Sequence, residues 1–134
     1  GRAMKRRGTP EADLQRAVVQ TLRIALPRTA IIHHCANEVT EAGPRGAKRQ
    51  AILVGMGVHA GFADLMVLND GRVLFLELKA PKGRLRPEQE AFRDAVQAQG
   101  FGWALARSLD DALGALAGHG FTTRIAPAPR RPAP

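Results

Sequence analysis

The sequence predicts an α/β fold, a mixed central sheet flanked by helices. Three observations predict it. Apolar residues recur every four positions near the N-terminus, which is helical spacing. Two apolar runs, Ala63 to Leu68 and Arg72 to Leu78, flank Asn69-Asp70-Gly71, a strong hairpin turn because Asn and Gly accept positive φ. Helical and strand-like segments then follow in the order α-β-(α)-β-β-α-β-α, and that alternation lays helices on a sheet.

Each element has a local cause. Thr9 can cap a first helix, with Pro10 at its first position and Glu11 in its first turn. Leu14, Val18, Leu22 and Leu26 form its buried stripe, and Pro27 ends it. Ala30 to Cys35 reads as a short strand centred on Ile31-Ile32. Residues 39–46 contain Gly43-Pro44 and Gly46 and are expected to be a loop. Lys48 to Val54 fits either a short helix or an irregular segment. Val73-Leu74-Phe75-Leu76 is apolar on both faces, as a central strand should be. Lys82 to Arg86 form a basic loop. Pro87 opens the next helix, with Glu88 and Glu90 near its positive end, Phe92, Ala95 and Val96 towards the core, and Gly100 as its stop. Trp103 to Ala106 is a short strand, and Ser108 with Asp111 forms a capping box for a last helix carrying Leu113 and Leu116. Residues 1–8 read as a basic arm, in which Gly1-Arg2-Ala3 before Met4 fits an expression scar. Residues 9–121 form one domain, and 122–134 a Pro/Arg-rich tail expected to be disordered.

Composition narrows the partners. Twenty Lys and Arg against twelve Asp and Glu give a net charge of +8, which favours a polyanion. The basic residues cluster at Lys5-Arg6-Arg7, at Arg45, Lys48 and Arg49, at Lys79, Lys82, Arg84 and Arg86, and at Arg130-Arg131, all in expected loops, tails or short segments. Lys48, Arg49, Lys82, Arg84 and Arg86 are the DNA-binding candidates. With five Phe, one Trp and no Tyr, a stacking platform for single strands is not expected, and backbone recognition is favoured. No apolar run approaches the ~18 residues of a membrane span. The N-terminus lacks the apolar stretch of a secretory signal. The lone Cys35 excludes an intramolecular disulfide and a Cys-rich zinc site and fits a reducing cytoplasm.

The chemistry-bearing residues lie at one end of the hairpin. Asp64 stands at the mouth of an apolar strand, where a charge is unfavourable unless paired or metal-bound. Glu77 interrupts the returning strand between Leu76 and Leu78. By strand alternation it shares a face with Lys79 while Leu78 points into the core. An ion pair between Glu77 and Lys79 on a solvated face is the plain alternative. Hairpin pairing, however, brings Asp64 to the sheet end where Glu77 lies. Two carboxylates converging there repel one another without a cation, and oxygen donors favour Mg²⁺ or Mn²⁺. A divalent ion and an activated water beside a lysine suit phosphodiester hydrolysis.

Gly61-Phe62-Ala63-Asp64-Leu65, Glu77-Leu78-Lys79, Gly83-Arg84-Leu85 and Pro87-Glu88-Gln89 together resemble the PD-(D/E)XK nuclease superfamily and, within it, the VRR-NUC family. The likeness runs back through Gly57-Val58 and Asn37-Glu38 to Glu11, covering roughly residues 9–107. Ala63 departs from the usual proline before the aspartate, a position that shapes backbone and binds nothing. The resemblance implies a restriction-endonuclease-like core in which Asp64 and Glu77 bind the metal with the backbone carbonyl of Leu78. Glu11 would add an acid to the metal or its water shell. Lys79 would orient or activate the attacking water or steady charge on the phosphorane, and Gln89 would steady the lysine or a phosphate. It further implies a homodimer cutting branched DNA such as four-way junctions. A restriction- or repair-type nuclease on linear duplex or flap DNA shares the same site, and a non-catalytic DNA-binding module is the rival from another class.

Other candidates carry less. His33 and His34 fall on opposite faces of one strand and cannot easily share a metal. His59 reads as a loop histidine before the Gly61 turn that could contact substrate, and either Asn37 or Glu38 could line the site. Gly43-Pro44-Arg45-Gly46 lacks the Lys-Ser/Thr ending of a phosphate loop. Cys35 reads as packing rather than as a nucleophile.

Overall fold

The computed structural model describes residues 9–36 and 43–125. The basic arm, Asn37, Glu38 and Arg130-Arg131 lie outside them, so nothing here bears on those expectations. The elements are α1 (Pro10–Ala25), β1 (Ile31–His34), α2 (Gly43–Gly55), β2 (Leu65–Asn69), β3 (Arg72–Leu78), α3 (Pro87–Ala98), β4 (Gly102–Ala106) and α4 (Leu109–Gly118). The sheet order is β1-β2-β3-β4. The first three strands are antiparallel neighbours, and β4 runs parallel to β3 after the α3 crossover. The result is the mixed sheet of a restriction-endonuclease-like α/β core.

The hairpin turn is tight. Asn69 pairs with Arg72, so Asp70 and Gly71 form a two-residue loop. Both have positive φ, 52° and 76°. A right-twisted hairpin needs that geometry, and Asp-Gly supplies it. The turn fixes the register Leu65 opposite Leu76, which leaves Asp64 across from Glu77 at the far end.

Two cores sit on opposite faces of β3. Leu74, Leu76 and Leu78 pack with Leu65 and Val67 of β2, Val18 and Leu22 of α1, and Leu116 of α4. Phe75 packs on the other face with Ala63, Phe92, Val96 and Trp103, under α3. Burying each such side chain contributes about 1.5–3 kcal/mol before entropy is counted. The α1 start is as expected: Thr9 Oγ1 accepts the Ala12 N–H at 3.0 Å, and Pro10 opens the helix. At α4, Ser108 Oγ accepts the Asp111 N–H, while Asp111 Oδ2 reaches back to the N–H of Arg107, one residue earlier than a standard capping box.

Three details differ from the sequence reading, and one open alternative is decided. Residues 43–46 are helical, not loop: Gly43 at φ 81° turns the chain, and Pro44 suits a first helical turn. The segment from Lys48 to Val54 resolves as the rest of that helix, α2, whose buried residue is Gly46. Ala95 is exposed, because the α3 stripe runs through Gln89, Phe92 and Val96. Residues 122–125, expected to belong to a disordered tail, are placed against α1: Phe121 is buried, and the Arg124 N–H donates to the Ala25 carbonyl at 2.7 Å. No helix among the described residues is long and apolar enough to cross a membrane.

Candidate active site

The site forms where β2 starts and β3 ends. Asp64 is fastened there from two sides. Its carbonyl accepts the Cys35 N–H at 2.9 Å, just past β1, and its Oδ2 accepts the Leu78 N–H at 2.8 Å. The carboxylate thus holds a backbone donor at the last residue of β3, where a strand end would otherwise leave it unmatched.

The approach to Asp64 depends on a glycine. Gly61 has φ 78°, and a Cβ there would collide with the backbone carbonyl of Glu88 in the first turn of α3. Only glycine combines that φ with that proximity. Phe62 then packs its ring at 4.6 Å from Phe92 and 5.3 Å from Phe75. Ala63, in the position of the family's proline, is fully buried in the same cluster. The chain therefore reaches Asp64 with its backbone pinned against α3.

Glu77, Lys79 and Gln89 are buried, at 1%, 6% and 2% exposure, so Glu77 is not on a solvated face. Gln89 Nε2 donates to Glu77 Oε2 at 3.2 Å, and Gln89 Oε1 accepts the Arg86 N–H at 2.9 Å. One amide thus caps α3 and steadies the acid. Arg86, as the capping residue, has no acceptor on its side chain and cannot fill that role itself. The sequence reading gave Gln89 to the lysine or a phosphate; the hydrogen bond goes to Glu77, because α3 lies over the face that Glu77 shares with Phe75.

Glu11 and Asp64 line one cleft of about 690 Å³, with Thr9, His34, Leu78 and Ala80 also on its walls. Glu11 and Lys79 meet at Gly83: a Cβ there would lie 3.4 Å from Glu11 Oε2, from Lys79 Cδ and from the Ala80 carbonyl. The structure therefore brings Glu11, Asp64 and Leu78 together on the cleft wall and joins Glu77 to Gln89, while Glu77, Lys79 and Gln89 do not line the cleft and Lys79 meets Glu11 only at Gly83. Lys82, Arg84 and Arg86 are exposed on the neighbouring loop, although Arg86 Nε lies 3.4 Å from Glu88 Oε2. Lys48 and Arg49 are exposed on α2 and line no part of the cleft.

Arg107 was not singled out by sequence reading. Its Nη1 donates to the carbonyls of Ala80 at 2.7 Å, Pro81 at 3.2 Å and Gly83 at 2.7 Å. The adjacent Lys79 N–H donates to the Ala106 carbonyl at 3.1 Å. The end of β4 thus holds the loop that follows the lysine. A basic residue directly after a strand, outside every basic cluster, was the available signal. His34 was judged a strand histidine and lies on the cleft wall. Burial, then the charge of Asp64, pushes the Cys35 thiol up to about 11, which disfavours the thiolate.

The VRR-NUC domain model matches residues 9–110, a span that includes Glu11, Asp64, Glu77, Lys79, Gln89 and Arg107. The chain belongs to the VRR-NUC family. Its function is accordingly of nuclease type. Two solved structures share the fold. One, a "VRR_NUC domain protein", is 21% identical, with a TM-score of 0.62 over 86% of this chain and 91% of that one. Another, a "VRR_NUC domain", is 15% identical, with a TM-score of 0.54 over 85% of this chain and all of that one. A search of curated proteins finds no match.

Of the carboxylates expected to hold a metal, Asp64 and Glu11 line the cleft. Among the described residues, no group of three or more His, Cys, Asp or Glu side chains stands ready to hold an ion. Asp64 and Glu11 instead offer carboxylate oxygens to a cleft with room for water and a phosphate. Mg²⁺ is commonly bound in this way, by one or two carboxylates with waters and substrate oxygens completing its shell.

Proposed function

We propose that this protein is a divalent-metal-dependent, structure-specific DNA endonuclease. The observation that carries the proposal is Asp64. It is locked to the Leu78 N–H at the head of a cleft that it shares with Glu11 and across the hairpin from buried Glu77. Asp64, Glu77, the Leu78 carbonyl and Glu11 would hold Mg²⁺ or Mn²⁺. When bound, the cation polarises a phosphoryl oxygen and lowers the pKa of a bound water.

The chain's own residues supply the rest. Lys79 orients the attacking water or meets the charge that develops on the phosphorane. Gln89 keeps Glu77 in place. Lys82 and Arg84 hold the phosphate backbone beside the cleft, with Lys48 and Arg49 on α2 adding charge further out. Branched DNA, such as a four-way junction, and action as a homodimer follow from the family resemblance. A two-fold assembly suits symmetric cutting because it presents two equivalent sites. A single Cys35 and a DNA substrate agree with a reducing, cytoplasmic setting.

A panel of four-way junction, flap, splayed and linear DNA, incubated with Mg²⁺ or Mn²⁺, tests the reading. The junction should be cut in preference to linear duplex of matching sequence. Equal cutting removes the junction preference, and no cutting of any member removes the nuclease proposal.

A further inference from the structure

A second, shallower groove opens from the cleft. It is about 270 Å³ and is lined by Gln15, Arg16, Val19, Gln20, Arg23 and His34. Gln15, Arg16 and His34 line both spaces, so the groove continues the cleft along α1. Arg16, Gln20 and Arg23 are exposed and fall on one helical face, at spacings of four and then three residues. None of the groove's lining residues is acidic, and none is Phe, Tyr or Trp. The helix's acidic residues are Glu11, in the cleft, and Asp13, which lines neither space.

We propose that this face of α1 is a track for the phosphate backbone of one DNA strand on one side of the scissile phosphate. The inference rests on the nuclease reading for the identity of the ligand. Three features set it as backbone rather than base recognition. Two guanidinium groups supply charge, Gln15, Gln20 and His34 supply hydrogen-bonding groups, and no Phe, Tyr or Trp offers a stacking platform. Arg16 and Arg23 are separated by about 10 Å along the helix axis at ~1.5 Å per residue, far enough apart to meet different phosphates of one strand. Arg16 Nη1 lies 3.3 Å from Asp13 Oδ1, but this pair is exposed and weak, so a phosphate competes readily for the guanidinium.

None of the basic clusters read from the sequence includes these residues. Arg16 and Arg23 lie singly in the sequence and become neighbours only on the folded helix. The strand they hold enters the cleft beside Glu11 and His34. Lys82 and Arg84 stand exposed on the loop that follows Lys79 and line neither space, so they would add a separate contact to the backbone.

Binding of a labelled duplex with a single-stranded arm, measured by fluorescence anisotropy in EDTA across a NaCl series, tests the track without requiring chemistry. Arg16→Gln with Arg23→Gln should weaken binding by about ten-fold and flatten the slope of log K against log[NaCl] by about 1.4–1.8. Arg72→Gln with Arg93→Gln removes the same two charges far from the groove and should leave the slope near that of the wild type. Gln20→Glu, which places a carboxylate in the track, should also weaken binding. An unchanged slope in the α1 double variant, or an equal change in the two double variants, overturns the proposal. If the wild type binds with the α1-dependent slope yet cuts nothing with Mg²⁺ or Mn²⁺, the nuclease reading falls and the track stands. If it cuts DNA but the slope ignores α1, the reverse holds.

Discussion

The two faces of β3 diverge over its last residues. On one face Leu74, Leu76 and Leu78 stay apolar to the strand end, under α1 and α4. On the other, Phe75 is followed by Glu77, and then by Lys79 just past the strand, all three buried. A single strand thus packs on one side and carries the proposed chemistry on the other. The difference explains how a buried carboxylate is kept in one place. The apolar face sets the strand's position, and the polar face inherits it. Gln89 then donates to one oxygen of Glu77, and the Leu78 N–H to one of Asp64, where the aromatic core ends.

Substitutions on the polar face should break function while the fold holds. Asp64→Ala or Glu77→Ala should lower metal-dependent cleavage on the order of 10³-fold while DNA binding in EDTA persists. Cleavage at the wild-type rate in either variant removes that residue from the site. Lys79→Ala should lose turnover with a native circular dichroism spectrum. The apolar face should respond in the opposite way. Leu76→Ala should reduce stability by about 2–5 kcal/mol in urea unfolding. The molecules that remain folded should cut normally.

Gln89→Leu falls between the two. It removes a donor from a buried carboxylate and a cap from α3, so a stability loss of about 1.5–3 kcal/mol should accompany a drop in cleavage on the order of 10²-fold. A stability loss with full activity would show that Gln89 serves the helix alone. Arg107→Ala should free the loop of residues 80–83. Trypsin should then cut after Lys82 and Arg84 faster than in the wild type, and cleavage of DNA should fall by about ten-fold through misplacement of Lys79. Unchanged proteolysis at those bonds would contradict the clamp.

The expected effect at Cys35 is on thiol reactivity rather than on cleavage. Its thiol, pushed up to about 11 from an ordinary 9.0, carries about a hundred-fold less thiolate at pH 8 than a free cysteine and should react with disulfide reagents correspondingly slowly. The sign follows from the raised value. The fold favours the neutral thiol, so this contribution is present below pH 9 and is lost as pH rises through about 11. Asp64→Asn removes the second cause and should speed the reaction modestly.

Much of the architecture could be read from residue types, because local chemistry dictated it. Thr9-Pro10 starts α1, Asp70-Gly71 makes the turn, and the turn fixes the register that sets Asp64 across from Glu77. The Gly43-Pro44 pair misled, since the same residues break one element and begin another. Hydropathy could not tell a solvated Glu77 from a buried one, because both faces of β3 are covered and a central strand shows no alternation. Arg107 was hidden for a different reason. Its three acceptors are backbone carbonyls, and backbone groups leave no trace in residue identity. The α1 track was hidden because its residues become adjacent only through the helical repeat.

The most direct measurement is cleavage of a labelled four-way junction with Mg²⁺ or Mn²⁺ by the wild type and by Asp64→Asn, with binding of both proteins followed in EDTA. The expected result is cutting by the wild type, none by the variant, and comparable binding by both. The contradicting result is cutting by Asp64→Asn at the wild-type rate, which would place the chemistry elsewhere than at the end of the hairpin.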